Sequence, residues 1–205
     1  RSLVKQGVFT ASESDALMAS VRTIAGELAD DCRNLVTGQL ARDEFLRRYG
    51  HLRPGTYDIL SARYDQRDGL FAGTTPQVAP EASAPFNPSP EQINQIDELL
   101  TQEGFALDAA MLFDYIREAT AAREYAKFVF TRSLSDALEG IAAWGATIGL
   151  DRKELSYLEI GDILDTLMEV NKDNMGRHLQ PKAVAGRQRY QITKALRLPQ
   201  VLSEA

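Results

Sequence analysis

The run LDAAMLFDYIREATAAREYAKFVFTRSLSDALEGIAAWGATI, residues 107–148, contains no proline and keeps apolar side chains at helical spacing throughout. Leu112, Ile116, Ala119, Phe130, Leu134, Leu138, Ile141 and Ile148 share one stripe, and Tyr115, Ala122, Ala126 and Val129 form a second row beside it. The spacing predicts a single helix buried over a wide arc, about 60 Å long at roughly 1.5 Å per residue. Gly140 and Gly145 each lower helix propensity by about 1 kcal/mol relative to alanine, so a bend or an early end is expected in the last third. A rod of this length is the spine against which the other helices pack. At about 100° per residue, Arg123 and Lys127 fall roughly 20° to either side of Ile116, which aims two cations at the core.

Working outward, Leu17, Val21, Ile24, Leu28, Cys32 and Leu35 predict a helix over 14–36 with Gly38 as its end signal. Residues 41–49 read as a second short helix closed by Gly50. Between 65 and 90 the composition shifts, with Pro76, Pro80, Pro85, Pro88 and Pro90 among small residues, which predicts an extended connection. Ser89-Pro-Glu-Gln92 has the capping-box pattern and starts a helix that ends near Gln102, before Gly104. Residues 151–158 read as a short extended piece, 159–167 as a short helix, and 181–196 as a largely polar last helix anchored by Val184, Tyr190, Ile192 and Leu196. No alternating strand and no repeat appears. The fold class is therefore all-α: a single helical domain over 1–205, built on one long central helix, with the proline-rich connection within it.

A net charge of -6, with the Lys and Arg residues dispersed, argues against a nucleic-acid or acidic-membrane surface. The single cysteine, Cys32, excludes an internal disulfide framework and a cysteine-based metal site. No apolar run approaches the roughly 20 residues that cross a bilayer, and Arg1 to Gln6 lacks the apolar core of a signal peptide. These features suit the cytoplasm, and the missing initiator Met reads as a piece of a longer polypeptide.

The chemistry-bearing stretch is Phe45-Leu-Arg-Arg-Tyr-Gly-His-Leu-Arg-Pro-Gly-Thr-Tyr-Asp-Ile-Leu60, continued by Ser61-Ala-Arg-Tyr64. Connecting two helices needs only small polar residues, so this density of hydrogen-bonding groups indicates something held or contacted. His51 and Arg53 suit an anionic or hydroxylated substrate, or else they satisfy carbonyls at the end of the preceding helix. Asp58, near Tyr57, is either a base or substrate acceptor, or the partner of Arg53, Arg63 or Arg123 in an ion pair. Arg123 and Lys127 either line a polar pocket, with Glu124, or tie the long helix to this loop through salt bridges. Cys32 fits a small core residue and Trp144 a packing or interdomain contact.

Tyr49-Gly-His-Leu-Arg-Pro-Gly-Thr-Tyr-Asp-Ile59 with Arg63-Tyr64 resembles the Tyr-Gly-His-Arg-Gly-Pro-Gly-Glu-x-Asp-Leu segment of the phosphoenolpyruvate-utilising phosphotransferases. These include phosphoenolpyruvate synthase, pyruvate phosphate dikinase and rifampicin phosphotransferase-like proteins. Arg123-Glu-Tyr-Ala-Lys127 to Arg132 is similar to their Arg-Glu-x-x-Lys helix. Glu154-Leu-Ser-Tyr-Leu158 with Glu159 to Leu164 is similar to their Asp-hydrophobic-aromatic-Tyr-Leu-x-x-x-Glu-Leu step. Leu198-Pro-Gln-Val-Leu202 is similar to the Leu-Pro-x-Val-Ile that leads into their swivelling domain. The matches run in the family's order, while Leu52, Arg53 and Thr56 stand where its commoner pattern has Arg, Gly and Glu.

The resemblance implies the helical region between an ATP-grasp domain and a mobile phosphohistidine domain, which would be its partners. It implies ATP and Mg for the parent protein, none of them bound by this stretch. The residue chemistry described above makes His51, Arg53, Tyr57, Asp58, Arg123 and Lys127 the candidates for holding a small-molecule substrate. Neither histidine fits the family's Thr-Ser-His acceptor: His51 follows Tyr49-Gly50 and His178 follows Gly176-Arg177. No glycine-rich phosphate loop is present. Three functions stay open: a helical linker and substrate-side domain of such an enzyme, a stand-alone ligand-binding bundle, or a structural spacer between domains.

Overall fold

The computed structural model describes residues 2–67, 86–168 and 174–196. Every helix or strand among them is helical: α1 (Ser2–Lys5), α2 (Ala11–Ala19), α3 (Ile24–Val36), α4 (Arg42–Tyr49), a 3-10 turn (Tyr64–Gln66), α5 (Pro90–Gln102), α6 (Ala109–Thr147), α7 (Arg152–Leu155), α8 (Ile160–Met168) and α9 (Met175–Ala195). The chain is all-α, and the long helix is present as one uninterrupted element. Most of the proline-rich connection, 68–85, and the Leu198 to Leu202 tail lie outside the described residues.

Where the sequence suggests one domain, contacts group the residues into two compact units. The first runs to Gly50 and resumes from Arg67 to Arg132, and the second comprises His51–Gln66 and the chain from Ser133 on.

In the first unit Val8, Phe9, Leu17, Ile96, Ala109 and Phe113 form the core. Phe9 stacks on Phe113 at 6.2 Å and meets Phe86 edge-on at 5.3 Å. The capping box expected at Ser89 and Gln92 is formed, and the Gln92 amide also donates to the Val8 carbonyl and to Glu13. One side chain thus both starts α5 and fastens it to the amino-terminal segment. Asp97 accepts from the Ala109 amide at 2.6 Å, capping the start of α6. Phe45 and Tyr49 of α4 are fully buried, and Tyr49 packs edge-on against Phe128 of α6 at 6.0 Å. Burial, and then its hydrogen bond to the Asp31 carboxylate, raise the pKa of the Tyr49 phenol.

The helix expected over 14–36 is two helices, because caps interrupt the apolar stripe. Thr10 and Glu13 make a capping box that starts α2 at Ala11, Ser20 closes α2, and Thr23 caps α3. Gly38, at φ +74, ends α3 as expected.

In the second unit Ile59, Ala142, Leu150, Leu155 and Leu179 form the core, with Leu138, Ile141, Trp144, Ile148 and Leu158 packed on it. Residues 151–158 are not extended, because Asp151 and Glu154 form a capping box and wind α7. The last helix begins at Met175, six residues before Pro181, which is tolerated inside it. Its buried face is Met175, Leu179, Ala183 and Gly186, whereas the expected anchors Val184, Tyr190, Ile192 and Leu196 are exposed. Beside the Met175 and Leu179 side chains, contact is made by backbone: a Cβ on Gly176 would collide with the Ile148 carbonyl, and one on Gly186 with the Tyr157 carbonyl. Lys182 to Asp162 at 3.0 Å and Arg189 to Glu159 at 3.2 Å flank this seam. Gly145 does not end α6. It lets Leu155 approach, since a Cβ there would lie 2.5 Å from Leu155 Cδ1.

Candidate functional site

The loop from His51 to Gln66 is built around one buried cation. Arg53 has a side chain only 1% exposed, and all three of its guanidinium nitrogens are occupied. Nε donates to Ser135 Oγ at 3.3 Å. Nη1 donates to the carbonyls of Asp58 and Ser61 at 3.3 and 3.1 Å. Nη2 donates to Ser135 Oγ at 2.9 Å and to Glu139 Oε1 at 3.0 Å. The planar fork of arginine suits such a set, which closes the loop onto α6. Burying a charge is costly unless it is paired and fully hydrogen-bonded, and here it is both.

Glu139 is the hub. Oε1 accepts from Arg53 and from Arg152 Nη1 at 3.1 Å, while Oε2 accepts from Arg152 Nη2 at 2.5 Å and Gln66 Nε2 at 2.7 Å. Arg152 also donates to the Ile59 carbonyl, and Arg63 spans Asp65 and Asp136 at 2.8 and 2.7 Å. The bonds from Arg152, and then those from Gln66 and Arg53, overcome burial and hold the Glu139 carboxyl at about 2, below its ordinary 4.5. A lowered folded-state value means stability that is present above pH 4.5 and lost as pH falls towards 2. With solvent screening of a partly exposed group, the expected loss is about 1 to 2 kcal/mol. Urea titrations across this range should show it, and Glu139→Gln should flatten the dependence; an equally steep curve in that variant would assign the loss to other carboxylates.

The expected site residues fall in both units: His51, Arg53, Tyr57 and Asp58 in the second, Arg123 and Lys127 in the first. His51 and Arg53 are buried, Arg53 within the cluster above. Arg53 satisfies carbonyls, as one of its two readings has it, but those of Asp58, Ser61 and Ser135. Asp58 is exposed and is not the ion-pair partner of a buried arginine. Its Oδ1 accepts from the Leu60 amide at 2.8 Å, a local turn that shapes the loop. Tyr57 is 74% exposed. Tyr57 and Asp58 line a recess of about 290 Å³ walled by Ile59, Leu138, Ile141 and Leu155, which suits an apolar group.

Arg123 and Lys127 belong to the first unit, and both are exposed rather than aimed at the core. Arg123 lies 4.0 Å from its neighbour Glu124. The reason is that α6 is covered unevenly: its buried positions are Ala109, Phe113, Thr131, Ser135, Ala142 and Gly145, with none from 114 to 130. Phe130 and Ala119, which the spacing places on the apolar stripe, are exposed there as well. Long cationic side chains on an uncovered stretch keep their heads in water.

Sequence reasoning missed Glu139, Arg152 and Ser135. The available signal was Ser135 and Glu139 at i and i+4 on the same side of the helix as Leu138 and Ala142, a polar pair on an apolar arc. Among the described residues no group of His, Cys, Asp and Glu is placed to hold a metal ion, and no helix is long and apolar enough to cross a membrane. No protein-family model, curated protein or solved structure matches the chain.

Proposed function

We propose that this chain is the helical linker and substrate-side region of a phosphoenolpyruvate synthase-like phosphotransferase, a cytoplasmic enzyme that relays phosphoryl groups through a histidine on another domain. Its partners are then a flanking ATP-grasp domain, which uses ATP and Mg, and a flanking phosphohistidine domain. The ordered motifs from Tyr49 to Leu202 support this reading. The saturation of Arg53 supports the linker part of this reading rather than a substrate site at that residue. A cation with every nitrogen engaged by protein acceptors has no donor left for a phosphate or carboxylate substrate. The cluster acts as a structural clamp in a linker, and catalysis resides in the neighbours.

A second reading, a ligand-binding helical bundle, draws on the apolar recess beside Tyr57 and Asp58. Incubation of the chain with labelled ATP, and separately with labelled phosphoenolpyruvate, should leave no acid-labile label on protein. Label on His51 or His178 would overturn the linker assignment. The encoding reading frame should continue into an ATP-grasp sequence on one side and a Thr-Ser-His sequence on the other, and a frame with neither would leave the ligand-binding bundle and the structural spacer.

A further inference from the structure

The first unit contains a cleft of about 570 Å³ between α3, α4 and α6, independent of the Arg53 cluster and of the function proposed above. Its size suits a small molecule. Three arginines from three separate elements reach it: Arg22 before α3, Arg48 on α4 and Arg132 on α6. The opposing charge is Glu27 in the lining, with Asp31 behind it. Arg48 is paired to both, to Asp31 at 3.0 Å. Arg22 is 84% exposed and only 3.9 Å from Glu27. Arg132 gives one bond to the Arg48 carbonyl, at 3.2 Å, and lays its guanidinium over the Phe128 ring at 5.9 Å. Arg22 and Arg132 therefore keep donors for an anion, in contrast to the saturated Arg53.

The other wall is aromatic and small. Tyr125 is 59% exposed, lies 6.4 Å from Phe128, and stands beside Ala121 and Ala122, which leave room for a flat group. The amino end of α3 borders the same cleft through Thr23 and Ile24 and adds a field of the same sign as the arginines. Guanidinium forks match phosphate oxygens, and an exposed tyrosine offers a stacking face. An inorganic anion would leave the aromatic wall unused, and a neutral ring would leave the arginines unanswered. We propose that this cleft binds an aromatic ring carrying a phosphate group, either a nucleoside monophosphate or a simple aryl phosphate.

Isothermal titration of the full chain at low salt with phenyl phosphate, AMP, inorganic phosphate and phenol tests this. At least one of the two esters should bind roughly tenfold or more tighter than either inorganic phosphate or phenol. Tighter binding of AMP identifies a nucleotide site, and phenyl phosphate binding as well or better identifies an aryl ester site. Arg22→Gln, whose side chain contributes little to packing, and Tyr125→Ala should each weaken the ester about fivefold or more while leaving the melting temperature unchanged. Ester binding no tighter than that of inorganic phosphate, or unaffected by both substitutions, would overturn the assignment.

Discussion

Replacing Glu139 with alanine is expected to lower folding stability by about 3 to 5 kcal/mol, the range for removing one partner of a buried ion pair. The loss falls on Arg53, not on Arg152. Arg152 is 39% exposed and can turn its guanidinium to water, whereas Arg53 is enclosed and would keep a buried charge without its carboxylate. Ser135 and the loop carbonyls would remain, but they are neutral dipoles. Asp136→Ala is the matched comparison, because Asp136 pairs with Arg63 from a largely exposed position and its removal should cost about 1 kcal/mol or less. Urea unfolding of both variants measures the difference. Equal midpoints would mean that the Arg53 clamp contributes no more than a surface pair.

Gly186→Ala should be nearly as damaging, at about 3 kcal/mol or more, with Gly176→Ala close behind. Both new methyl groups would point into backbone carbonyls, of Tyr157 and Ile148, which cannot rotate aside as a side chain can. Relief requires α9 to lift away, which opens the contacts of Leu179 and Ala183. Gly140→Ala provides the opposite sign: it is inside α6 and, its own turn of helix apart, nothing lies within 4 Å of the added Cβ, so it should stabilise by about 1 kcal/mol. Thermal melts of the three variants decide it. A Gly186→Ala protein that melts with the parent would show that α9 is not seated by backbone contact.

Periodicity and capping chemistry made the helices legible. The start of α5 and the ends of α3 and α4 followed from Ser89, Gly38 and Gly50, and the absence of proline over 107–148 gave α6. The split between α2 and α3 was lost because the stripe from Leu17 to Leu35 continues across it in sequence, and only Ser20 and Thr23 mark the break. Helix α9 was misread for a related reason. Pro181 resembles a start and hides Met175 and Leu179 before it, and the Gly176, Ala183 and Gly186 positions of the interface carry almost no hydropathy signal. The candidate site was half legible. Arg53 stood out from its loop, but its long-range partners are Ser135 and Glu139, with Arg152 reaching the cluster through Glu139, and pairing over such separations leaves no local pattern. Arg123 and Lys127 were misplaced because spacing shows which side of a helix a residue occupies, not whether anything covers that side.

Because the second unit is assembled from His51–Gln66 and a stretch that begins at Ser133, its parts leave the ribosome far apart in time. At about 5 to 20 residues per second, Arg152 is made some 5 to 20 s after Arg53. During that interval the Arg53 guanidinium has its loop acceptors at Asp58 and Ser61 but neither Ser135 nor the Glu139 carboxylate. The loop that looks most like a functional motif thus acquires its shape late in synthesis, when Glu139 and Arg152 are both available to receive it.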